Sequence, residues 1–121
     1  MVKDLLCILG IPIKYLGHRY LDYAVELAMA DESILSAVTI RLYPAIAQQF
    51  GTTAAAVNRN MRTAIDHCWE RGNRALLDQI AGYPLRYRPS VSEFLSLLVA
   101  YLRRGGEVQD PLHGGSAPVD A

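Results

Sequence analysis

Apolar residues recur at intervals of three and four along this chain, and over no stretch do they alternate with polar ones for the length of a strand. That spacing predicts helices, each with one stripe turned to a core. The stripes break at glycine and proline, which places the boundaries. A short first helix is predicted over Lys3–Leu9, stopped by Gly10 and Pro12. A second, over Gly17–Ala30, carries Leu21, Ala24, Val25, Ala28 and Met29 on one face. A third is expected over Ser33–Leu42, opened by Asp31 as N-cap. A fourth, Pro44–Phe50, has its proline in the first turn and ends at Gly51. Thr53 caps a long fifth helix, Ala54–Arg71, closed by Gly72. A sixth, Asn73–Ala81, ends at Gly82, and a seventh runs from Ser90 or Ser92 to Arg104. The prediction is an all-α fold, one compact helical bundle over residues 1–104. The Gly- and Pro-rich stretch 105–121 is expected to be a disordered tail.

Composition narrows the function classes. With 51% apolar and 20% charged residues in 121, one domain has ample material for a core. No apolar run approaches the ~18 residues a membrane span needs. The opening MVKDLLCILGIP is too short and too acidic for a signal peptide, so a cytoplasmic protein with no membrane partner is expected. Cys7 and Cys68 have no CxxC spacing and read as small buried hydrophobes in a reducing compartment. His67 beside Cys68 points about 100° away from it on a helix, and no third ligand or base presents itself. No metal, no cofactor and no enzyme are expected. Net charge is zero, which argues against nucleic acid until its distribution is read. Residues 1–58 carry four basic against five acidic side chains, a net of −1. Residues 59–104 carry eight arginines against four acids, a net of +4, and the last stretch has three acids and no base. A basic middle is compatible with a phosphate-facing surface.

The basic middle begins at the fifth helix. The fourth and fifth helices flank a short turn containing Gly51, the layout of a helix-turn-helix unit. Ala47 is small where the two would cross, and Ile46, Phe50 and Val57 are apolar at inward positions. A plain αα-hairpin fits that pattern equally well. The faces of the fifth helix say more. Val57, Met61, Ala64, Ile65 and Cys68 form its core stripe, while Ala55, Arg59, Arg62 and Asp66 lie opposite with Thr63 at the edge. Small residues followed by two arginines suit a helix entering the major groove, where Arg bonds guanine O6 and N7. Thr52 and Thr53, with the free N–H groups at the helix start, suit a phosphate. Either arginine taken alone is more often a solvated side chain. Asp66, four residues from Arg62, either extends that arginine or neutralises it. Glu70 and Arg74 are spaced for a weak surface pair at best, across Gly72. His18 reads as a partly exposed helix-start residue, and Trp69, off the core stripe, needs the sixth or seventh helix to cover it.

The stretch LYPAIAQQFGTTAAAVNRNMRTAIDHCWERGN resembles the C-terminal effector domain of the sporulation stage-zero response regulator, the master regulator of endospore entry. The matching features are Leu42-Tyr43-Pro44, Thr52-Thr53, Arg59 with Arg62, Trp69, Arg71-Gly72-Asn73 and Gly82-Tyr83. Upstream LGIPIKYLGHRYL and downstream PSVSEFLSLLVAYLR extend the resemblance over about residues 5–104. It implies an all-α helix-turn-helix regulator that binds short asymmetric boxes resembling TGTCGAA in double-stranded DNA, often as a tandem pair of domains. It implies further that Arg59 and Arg62 read bases and that Thr52, Thr53 and Ala54 lie at the DNA backbone; the short side chains of Ala55 and Ala56, by their size alone, let the helix approach. The loop YPLRYRPS supplies phosphate contacts in such domains, here Arg86, Arg88 and Ser90. A contact with the RNA polymerase sigma factor maps to about Gly72–Tyr83, with Gly72, Asn73, Ala75, Leu76, Gly82 and Tyr83 as candidates.

Four positions depart from the family pattern. Ala55-Ala56-Val57-Asn58-Arg59 stands where Ser-Arg-Val-Glu-Arg is usual, and Thr63 replaces a histidine. A lost bidentate pair costs about 1–3 kcal/mol of discrimination, so a shifted or relaxed box is expected. Asn58 offers an amide suited to adenine N6 and N7. No alternating strand–helix pattern of a receiver domain is present, and the opening Met favours a stand-alone homologue over an excised effector. A second reading keeps the fold and drops DNA: a protein-interaction module that pairs with a full-length regulator or a sigma factor.

Overall fold

The computed structural model describes residues 2–106, and its architecture follows from one long helix. Thr53, in an extended conformation, accepts the Ala56 N–H on its hydroxyl at 3.1 Å and so starts α4 (Ala54–Arg71). Such a cap is worth about 1 kcal/mol. The stripe Val57, Met61, Ala64, Ile65 and Cys68 is buried throughout. α4 stops at Gly72, and Asn73 at once caps α5 (Arg74–Ala81) by accepting the Leu76 N–H at 3.0 Å. Gly82, at φ +87°, ends α5 in the left-handed region.

The other helices wrap this pair: α1 (Val2–Ile8), α2 (Leu16–Ala30), α3 (Tyr43–Phe50) and α6 (Val91–Arg103). Among the described residues there is no strand. One apolar cluster runs through all six helices, with Leu6, Leu21, Ile46, Met61, Leu77 and Phe94 among its fully buried members. α2 crosses α4 at Gly17, where an added Cβ would lie 2.2 Å from the Asn60 carbonyl oxygen. The segment after α1 is stitched to the end of α4. The Leu9 carbonyl accepts the Asn73 N–H at 2.9 Å and the Cys68 thiol at 3.4 Å, and Gly10 lies against Gly72. α6 starts with a reciprocal capping box between Ser90 and Glu93.

Several expectations are corrected. The predicted helix over 33–42 is a 3₁₀ turn (Glu32–Ser36) followed by a π turn (Val38–Leu42) that runs into α3. Asp31 draws in both the N–H and hydroxyl of Ser33 and takes the Arg41 guanidinium at 2.9 Å, which tightens the first turn and pins the second. These donors hold the Asp31 carboxyl below the usual carboxylate range. The β-branched run Val38-Thr39-Ile40 disfavours an ordinary helix. His18 is buried at 1% exposure rather than partly exposed, because the close approach at Gly17 sweeps the start of α2 into the core. Cys7 is exposed rather than buried, since Leu5, Leu6 and Leu9 take the inner face. Trp69 is covered from α5, yet by a cation: the Arg74 guanidinium sits 3.3 Å from its ring centroid. Arg74 therefore forms no pair with Glu70 among the described residues. Gly105 and Gly106 continue past α6 with positive φ, and the remainder of the predicted tail, 107–121, lies outside the described residues.

Candidate nucleic-acid interface

The turn between α3 and α4 is built by one left-handed residue. Gly51 (φ +66°) reverses the chain, and the Thr52 N–H returns to the Ala47 carbonyl at 3.0 Å. Phe50 packs against the rings of Tyr20 and Tyr23, fixing α3 on α2. Thr53 then spends its hydroxyl on the cap, and α4 leaves the core with Ala55 exposed and Ala54 and Ala56 half-buried.

Arg59, Arg62 and Thr63 are exposed on the next two turns of α4. Among the described residues neither arginine has an ion pair. Arg62 lies close enough to Tyr43 for its charge to oppose the upward shift that burial gives the phenol. Thr63 turns its hydroxyl back to the Arg59 carbonyl at 2.9 Å, which leaves its methyl for contact. Asn58 is half-buried and its amide has no hydrogen bond among the described residues, whereas Asn60 bonds the Ala56 carbonyl.

Asp66 resolves the choice that spacing left open. Its carboxylate takes neither role with Arg62 and instead accepts from Nε of Arg88 at 3.0 Å. Arg88 belongs to the loop 82–90, a wing beside α4 with no helix of its own. The wing is fixed by the Leu85 N–H donating to Asp78 at 3.0 Å, by buried Pro89 and by the capping box at Ser90. Arg86 and Ser90 are exposed on it, and Arg88 is half-buried. Thr52, Thr53, Arg59, Arg62, Arg86, Arg88 and Ser90 thus all retain some solvent access across the α3–α4 turn, α4 and the wing.

The second predicted group lies along α5 and its ends. Ala75 and Tyr83 are exposed, Leu76 and Gly82 are half-buried, and Asn73 spends its side chain on the cap. Gly72 is closed in by Leu9, whose carbonyl oxygen would sit 2.4 Å from a Cβ there. His67 pairs with the Tyr15 hydroxyl at 3.3 Å, and burial pushes the Cys68 thiol up to about 11, so it stays protonated at neutral pH. No group of three His, Cys, Asp or Glu side chains among the described residues is placed to hold a metal ion. Nor is any described helix long and apolar enough to cross a membrane. Two features escaped the reading of the sequence: the Asp66–Arg88 pair and the tight crossing at Gly17. The pair joins positions 22 apart, one of them in a loop, and no periodicity signals it.

A helix pair hinged on a left-handed glycine, with small residues and two exposed arginines on its second helix, defines a helix-turn-helix domain of the DNA-binding class. The family model for the sporulation initiation factor Spo0A C terminal matches residues 2–102, and the chain belongs to that family. It is a sporulation-type, DNA-binding transcription-regulator domain.

Proposed function

We propose that this protein reads a short asymmetric box resembling TGTCGAA, with α4 in the major groove. The observation that carries the reading is the exposure of Arg59 and Arg62, three residues apart and without ion pairs among the described residues. In that pose both arginines bond base edges, Asn58 faces an adenine, and the Thr63 methyl meets the groove floor. Thr52, Thr53 and Ala54 lie at the backbone, where the N-terminal N–H groups of α4 favour a phosphate. Ala55 and Ala56 permit the approach, and Arg86, Arg88 and Ser90 hold phosphates from the wing. The strip Gly72, Asn73, Ala75, Leu76, Gly82 and Tyr83, along α5 and its ends, serves a sigma factor, and two copies bind in tandem on paired boxes.

Fluorescence anisotropy of a labelled box duplex against a scrambled one, from 50 to 200 mM salt, tests this. Preference for the box is expected, with affinity falling by about 0.9 log units per log unit of salt for each phosphate neutralised, hence a slope near −2 from Arg86 and Arg88. Equal, weak binding to both duplexes would sink the box reading. It would favour the protein-interaction module, for which Ala56, Asn58 and the zero net charge speak.

A further inference from the structure

We propose that Asp66 is a positioning residue of the DNA interface, holding Arg88 of the wing in place to meet a phosphate. This rests on the DNA-binding reading above. The carboxylate engages Nε of Arg88 at 3.0 Å, and no other bond of Arg88 is found among the described residues. Both terminal amino groups of the guanidinium therefore remain available, and they are the pair that suits a phosphate. No other side-chain hydrogen bond or ion pair among the described residues joins the wing to α4. Asp66 thus sets the spacing between the arginines of α4 and the arginine of the wing.

The sign of the effect separates positioning from simple electrostatics. An acidic side chain on a DNA-facing surface repels phosphate, so neutralising an unengaged Asp66 would tighten binding. If Asp66 positions Arg88, Asp66→Asn releases a long side chain that must be ordered again on binding, and affinity falls. A loss of about three- to tenfold is expected, equal on box and scrambled duplexes, because phosphate contacts carry no sequence information. Arg88→Ala should weaken binding similarly and reduce the salt slope by about 1. In the Arg88→Ala background, Asp66→Asn should then add no further loss, and Asp66→Glu alone should keep most of the affinity. The pair is partly exposed, so thermal unfolding should be little changed in these variants.

Anisotropy of the four proteins of this cycle, with Asp66→Glu as the fifth, decides it. Wild-type affinity retained or improved in Asp66→Asn would overturn the positioning role, as would an equal loss in the Arg88→Ala background. Absence of salt-dependent binding by the wild type would instead remove the DNA-binding reading, and the role of Asp66 with it.

Discussion

Replacing Arg59 and Arg62 together by alanine is expected to cost about 4 kcal/mol of binding to the preferred duplex, taking about 2 kcal/mol for each bidentate pair. That is on the order of a thousandfold in Kd. The scrambled duplex should lose much less, because only the charge of the two side chains matters there. Each single substitution is expected to relax selectivity at its own base position. The fold should not register these changes. Both side chains are exposed and neither is held by an ion pair among the described residues, so stability should move by less than about 0.5 kcal/mol. Anisotropy with single-base box variants, alongside thermal unfolding, checks both halves. Loss of affinity without loss of selectivity would assign the arginines to phosphates.

Gly17→Ala carries the largest expected effect on stability, a loss of about 3 kcal/mol, at the upper end of overpacking costs. The new Cβ would lie 2.2 Å from the Asn60 carbonyl oxygen and 2.7 Å from the Ala64 Cβ. The first of these is backbone and both belong to α4, so the helices themselves must separate. In an open helix the same change would stabilise by about 0.5–1 kcal/mol, which makes the sign diagnostic of the crossing. Gly51 is the opposite case. A Cβ there meets nothing within 4 Å, but φ is +66°. Gly51→Ala should cost about 1–2 kcal/mol from backbone strain alone, and Gly51→Asn less. Chemical denaturation of the three variants separates the crossing from the turn. A stabilised Gly17→Ala would show that α2 and α4 pack less closely than described.

Local chemistry made much of this architecture readable. α4 is long, has one unbroken stripe, and is bracketed by Thr53 and Gly72, so its register was visible and with it the exposure of Arg59 and Arg62. The start of α6 was narrowed to Ser90 or Ser92, and the capping box with Glu93 fixes it at Ser90. Where the chain departs from a regular helix, periodicity misleads. Residues 32–42 carry helical spacing, yet the Asp31–Arg41 bridge and three β-branched residues in a row impose two irregular turns. The exposures of Cys7 and His18 were read the wrong way round because a seven-residue helix and a helix start have too few positions to fix a face. The Arg88 clamp on Asp66 was beyond reach for a different reason. Spacing reports neighbours on one helix, and Arg88 arrives from a loop whose path is set by Asp78, Pro89 and Ser90.

The most direct test of the interface is a two-dimensional ¹H–¹⁵N titration of the labelled protein with the unlabelled box duplex, read residue by residue. Shifts concentrated on residues 52–63, with a second group at 86–90, are the expected result. Shifts centred on α5, or none at saturating duplex, would contradict the placement of α4 against DNA.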